Sequence, residues 1–85
     1  MRKFEKAVAR LKGRPKDFTY EELRRILNGL GYKEKSGGKT SGSRVAFVHP
    51  DSGHIIRLHK PHPENVLKAY QVELILEELS NKDLI

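Results

Sequence analysis

The sequence predicts an α+β fold: a helix, a three-stranded antiparallel sheet and a second helix, with an extra helix in front. Three observations carry this. A complete helix-start signature stands at residues 18–23. Two short strand-like runs, 44–49 and 54–59, flank a four-residue turn. A stripe of apolar residues, Val72, Ile75, Leu76 and Leu79, recurs at helical spacing near the end of the chain.

The elements follow in order. In residues 2–11 the apolar positions Phe4, Ala7, Val8 and Leu11 fall on one face of a short helix, and Gly13-Arg14-Pro15 ends it. Thr19 and Glu22 then form the spacing of a capping box, in which each side chain satisfies the other residue's backbone N–H. Phe18 before the cap and Leu23 after it are placed as a hydrophobic staple. Leu23, Ile26, Leu27 and Leu30 continue the stripe, and Gly31 supplies a stop, so a helix is expected over 20–30. A first strand is expected at 32–35, and Ser36 to Gly42 reads as a donor-rich loop. Pro50-Asp51-Ser52-Gly53 is the hairpin turn. Lys60-Pro61-His62-Pro63 blocks further sheet pairing, because proline has no N–H to donate. The last helix is expected over 68–80, with Glu73, Glu77 and Glu78 off its apolar stripe.

Eighty-five residues suffice for one domain with a small core. There is no cysteine to staple it, which fits a reducing compartment. No apolar run approaches a membrane span and the start lacks a signal-peptide core, so a cytoplasmic protein without membrane contact is expected. The net charge of +6 is unevenly spread. Residues 1–16 carry seven basic side chains against Glu5, residues 17–63 eight against five acids, and residues 64–85 only Lys68 and Lys82 against five acids. A basic front and middle point to a polyanion partner, most simply nucleic acid.

A four-residue turn sets a register in which His49 faces His54, Val48 faces Ile55, Phe47 faces Ile56, Ala46 faces Arg57, Val45 faces Leu58 and Arg44 faces His59. Cross-strand partners share a face and faces alternate along a strand. Val45, Phe47, Ile56 and Leu58 then face the core, and Arg44, Arg57 and His59 the other side. A slip of one residue would exchange the faces. In this register Arg44, His59, the loop through Ser43, and the exit through Lys60 and His62 meet at the hairpin end away from the turn. Arginine can clamp a phosphate with paired hydrogen bonds, and histidine can exchange a proton near neutrality. RNA supplies its own nucleophile, the 2′-hydroxyl, so a base, an acid and a cation suffice and no metal or other cofactor is expected. The same residues can be read as surface: an exposed histidine is more often solvent-facing, and arginines often solvate an open sheet face. His49 and His54, beside the turn, read as structural or solvent-facing, and the four histidines are too divided for a zinc site. Tyr32, Tyr70 and the three phenylalanines read as core or edge packing.

At these residues the chain resembles the HicA-family toxins, over about residues 18–79. The carriers are Phe18-Thr19-Tyr20-Glu21-Glu22-Leu23, Gly31-Tyr32, Gly42-Ser43, Phe47-Val48-His49-Pro50, the run from Ile56 to Pro63, and Leu67-Lys68-Ala69-Tyr70-Gln71. The resemblance implies a double-stranded-RNA-binding-like fold, an mRNA-cleaving endoribonuclease activity, and a HicB-like antitoxin that covers the RNA surface. It divides the chain into a basic helical extension (1–16), a HicA-like domain (17–80) and a short tail (81–85). Where the family motif reads Gly-Ser-His, with the histidine expected to be catalytic, this chain has Arg44. A guanidinium stays protonated and is no general base. Proton transfer then falls to His59 or His62, with Lys39, Ser43, Arg44, Arg57 and Lys60 holding RNA. The alternatives are an RNA-binding module that does not cut, and a basic protein-interaction module.

Overall fold

Six elements follow one another as α1 (Lys3–Lys12), α2 (Tyr20–Gly29), β1 (Lys33–Ser36), β2 (Arg44–Val48), β3 (Ile55–His59) and α3 (Ala69–Asn81). This is a computed structural model, and it describes residues 3–36, 44–61 and 64–85. The expected α+β class and the helix–sheet–helix order are what it shows. Each expected boundary lies within a residue or so of the observed one, and both hairpin strands stop one residue nearer the middle of the strand than the alternation indicated.

α2 starts where the capping box places it. The Glu22 backbone N–H donates to Thr19 Oγ1 at 3.2 Å, and the Thr19 N–H donates to Glu22 Oε1 at 3.1 Å. Phe18 and Leu23 on either side are both fully buried. Thr19→Ala is expected to cost about 1 kcal/mol, seen as a lower urea midpoint with an unchanged slope. The helix ends at Gly29 with Leu30 as its cap, and Gly31 just beyond has a φ of +97°, in the left-handed region that glycine tolerates. At the end of α1 the left-handed residue is Arg14 (φ +53°), not Gly13.

The sheet order is β1-β2-β3, antiparallel throughout. β2 and β3 pair as Arg44 with His59, Val45 with Leu58, Ala46 with Arg57, Phe47 with Ile56 and Val48 with Ile55, the register read from the turn. Val45, Phe47, Ile56 and Leu58 are buried in one cluster with Leu11 of α1, Leu23, Ile26 and Leu27 of α2, and Val72, Ile75 and Leu79 of α3. All three helices therefore contribute to a core on one side of the sheet. The segments leading into α2 and α3 are laced together: Leu67 N–H donates to the Phe18 carbonyl at 2.7 Å and Tyr20 N–H to the Asn65 carbonyl at 3.0 Å.

One aromatic expectation needs correction, and one is met at the edge of the core. Tyr70, expected to pack, is 63% exposed, because it lies off the stripe that α3 turns to the core. Phe4 is 37% exposed and rests at the surface against the backbone of Gly29, where a Cβ would collide with its ring.

Candidate nucleic-acid interface

Antiparallel pairing decides which side chains share the uncovered side of the sheet. Arg44 and His59 are direct partners at the hairpin end away from the turn, and Arg57 stands two residues before His59. β1 adds Lys33, paired with Val48, and Lys35, paired with Ala46. All five of these side chains are exposed, and Ala46, Val48 and Ile55 lie half-buried among them. Glu34 pairs with Phe47 and so faces the helices. There its carboxylate accepts the Tyr20 hydroxyl and meets Arg24, with Nε 3.1 Å from Oε1. Burial, and then the bond to Glu34, push the Tyr20 hydroxyl well above its ordinary range, so it stays a donor. Among the described strand residues facing the uncovered side, none is acidic.

The structure thus brings Arg44, Arg57 and His59 together on one face. Lys60 follows on the other side of the alternation, its ammonium 5.5 Å from the centroid of the Tyr20 ring. Lys39, Ser43 and His62 lie outside the described residues.

His59 is fastened through its backbone. Gln71 donates from Nε2 to the His59 carbonyl at 2.9 Å and accepts the Lys68 N–H on Oε1 at 3.0 Å. It is the buried polar side chain among the described residues, 5% exposed, and these two bonds satisfy both ends of its amide. One side chain therefore caps the start of α3 and ties it to the outer edge of β3.

The opposite end of the hairpin serves structure. Tyr32 and His54 share a hydrogen bond of 2.5 Å between the hydroxyl and Nδ1, and His54 Nε2 lies 3.5 Å from Glu78 of α3. A proton on Nε2 serves both contacts, donating toward Glu78 while Nδ1 accepts from Tyr32. His49 meets the Tyr32 ring edge-on at 5.0 Å between centroids. Burial, and secondarily the Glu78 charge, raise the Tyr32 hydroxyl above its usual range. Among the described residues no three histidine, aspartate or glutamate side chains gather as a metal site, and no helix is long and apolar enough to cross a membrane.

Sequence reasoning missed three parts of this region. The facing of Lys33 and Lys35 was not drawn, although alternation from the buried Tyr32 just before them gives it. The role of Gln71 needs the meeting of α3 with a sheet edge. The helix-side position of Lys60 was available from alternation alone, since it follows His59 directly.

A helix, a three-stranded antiparallel sheet and a second helix, with a basic sheet face left uncovered, define a class of small α+β domains. Within that class the chain belongs to the HicA toxin family: the family's sequence model, described as HicA toxin of bacterial toxin–antitoxin systems, matches residues 20–80. The protein is thus of a toxin family whose members come with an antitoxin partner, and as a family of RNase toxins it supports a nuclease role in general terms. No curated protein and no solved structure matches the chain.

Proposed function

We propose that this toxin binds and cleaves mRNA as a metal-independent endoribonuclease in the cytoplasm, and that a HicB-like antitoxin silences it by covering the basic face. The observation that carries the reading is the direct pairing of Arg44 with His59 on an exposed face of one charge sign. Neutral His59 takes the proton from a ribose 2′-hydroxyl, and that oxygen attacks the adjacent phosphorus. The P–O5′ bond breaks, and the leaving 5′-oxygen takes a proton from His62 or water. The products are a 2′,3′-cyclic phosphate and a 5′-hydroxyl. Arg44 holds the non-bridging oxygens as charge develops on them, the part of the reaction in which a fixed cation contributes most. Arg57 holds a neighbouring phosphate. Lys39 and Ser43 would add contacts from their loop, and Lys60 would meet a backbone passing around the edge of β3.

A second reading is favoured by one residue: Arg44 stands where the family motif carries its histidine, and RNA can be bound without proton transfer. Purified toxin incubated with mRNA in a chelator separates the two. Fragments ending in 2′,3′-cyclic phosphate, suppressed by the antitoxin, are expected. Intact RNA shifted into a complex would establish binding alone, and neither cleavage nor binding would remove both readings. In cells, growth arrest with intact RNA would sink the nuclease.

A further inference from the structure

β1 carries the uncovered face beyond the hairpin. One row crosses the whole sheet as Lys35, Ala46 and Arg57, and the next as Lys33, Val48 and Ile55. Strands about 4.8 Å apart put the Lys35 and Arg57 backbones roughly 10 Å from each other. Only the methyl group of Ala46 stands between them. The face is therefore a shallow trough: lysines along the β1 rim, Arg57 on the β3 rim with half-buried Ile55 beside it, and a floor of half-buried Ala46 and Val48 from β2. Its one-sign charge is maintained because β1's acid, Glu34, is turned to the helices and held by Arg24.

We propose that this trough is a track for single-stranded RNA, in which Lys33 and Lys35 are phosphate contacts that lead the strand to Arg44 and His59. The proposal rests on the RNA-binding reading above and adds a strandedness and two residues to it. The floor argues for one strand. A duplex would lay charged backbone on apolar side chains, with its bases turned inward and nothing gained from them. A single strand can turn bases toward the floor while its phosphates reach the rims. The imidazole of His59 is the aromatic ring among the described side chains of the face, so stacking adds little and charge carries most of the affinity. The track is accordingly tolerant of sequence and sensitive to salt.

The test is binding of a short 2′-O-methyl RNA, which cannot be cut by its own 2′-oxygen, and of a blunt duplex of the same length, across a salt series. Wild-type toxin is compared with K33Q/K35Q, with K33R/K35R, and with K12Q/K82Q, which removes the same charge from the helix side. Removing one lysine–phosphate pair on a single strand lowers the salt slope by about 0.7, so K33Q/K35Q is expected to lower it by about 1.4 and weaken binding about 25-fold at 0.1 M salt, relative to a 1 M reference. K33R/K35R is expected to bind as wild type, and K12Q/K82Q nearly so. Thermal melting of each variant confirms its fold. An unchanged slope in K33Q/K35Q, while wild type still binds, would overturn the track and leave the RNA-binding reading standing. Wild type preferring the duplex would overturn the single-strand assignment. Loss of antitoxin binding with RNA binding intact would reassign the rim to protein recognition. Wild type binding neither RNA would remove the parent reading along with the track.

Discussion

Alanine at His59 is expected to slow RNA cleavage by about 10²–10⁴-fold, the usual contribution of a positioned general acid or base, while RNA binding stays close to wild type. The argument is positional. His59 is the described histidine on the face that carries Arg44 and Arg57, and it is Arg44's direct cross-strand partner. His54 is committed to Tyr32 and Glu78 at the far end of the hairpin, and His49 lies against the Tyr32 ring. His59 is exposed, so truncation leaves no cavity, and its backbone contact with Gln71 survives the change. Single-turnover cleavage and equilibrium binding, measured side by side, read the two effects separately. Cleavage by His59→Ala at the wild-type rate would take His59 out of the mechanism and pass proton transfer to His62.

Leu11→Ala is expected to destabilise the protein by about 2–5 kcal/mol, a large share of the roughly 4–13 kcal/mol ordinary for a domain of this length. Leu11 is completely buried in the common core, although α1 precedes the segment that matches the family. The polar ties of α1 and of the turn after it lie at the surface, with Glu22 half-buried. Arg10 meets Asp17 at 2.8 Å and Glu22 at 2.6 Å, and Arg14 meets Glu73. Exposed pairs contribute little, so apolar burial is what holds α1 in place. Urea unfolding measures the loss. A change below about 0.5 kcal/mol, the ordinary range for surface substitutions, would mean that α1 lies on the domain without being part of its core.

Legibility from sequence followed the apolar pattern. The β2–β3 register was readable because a one-residue slip would have exposed Phe47 and Ile56, which are fully buried or nearly so. The start of α2 was readable because Thr19 and Glu22 settle it within four residues of chain. β1 was faintly readable, and Tyr32 alone carried the signal for its facing. Lys33-Glu34-Lys35 has no apolar member of its own, and pairing with β2 fixes the orientation that Tyr32 only suggests. At the candidate site, the opposition of Arg44 and His59 came with the register. Gln71 did not, since a glutamine in an amphipathic helix has no signal of its own until a sheet edge arrives beside it.

Gln71 also has a dynamic consequence. Helix ends fray more readily than helix middles, and sheet edges loosen from their outer strands. Here the first turn of α3 and the last residue of β3 hang on the two ends of one amide. Opening at either one disturbs the side chain that the other also uses. The loosening of α3 at its start and the drift of His59 away from Arg44 are therefore coupled through one side chain, and a molecule that grips the beginning of α3 would help to steady a residue across the chain that it never touches.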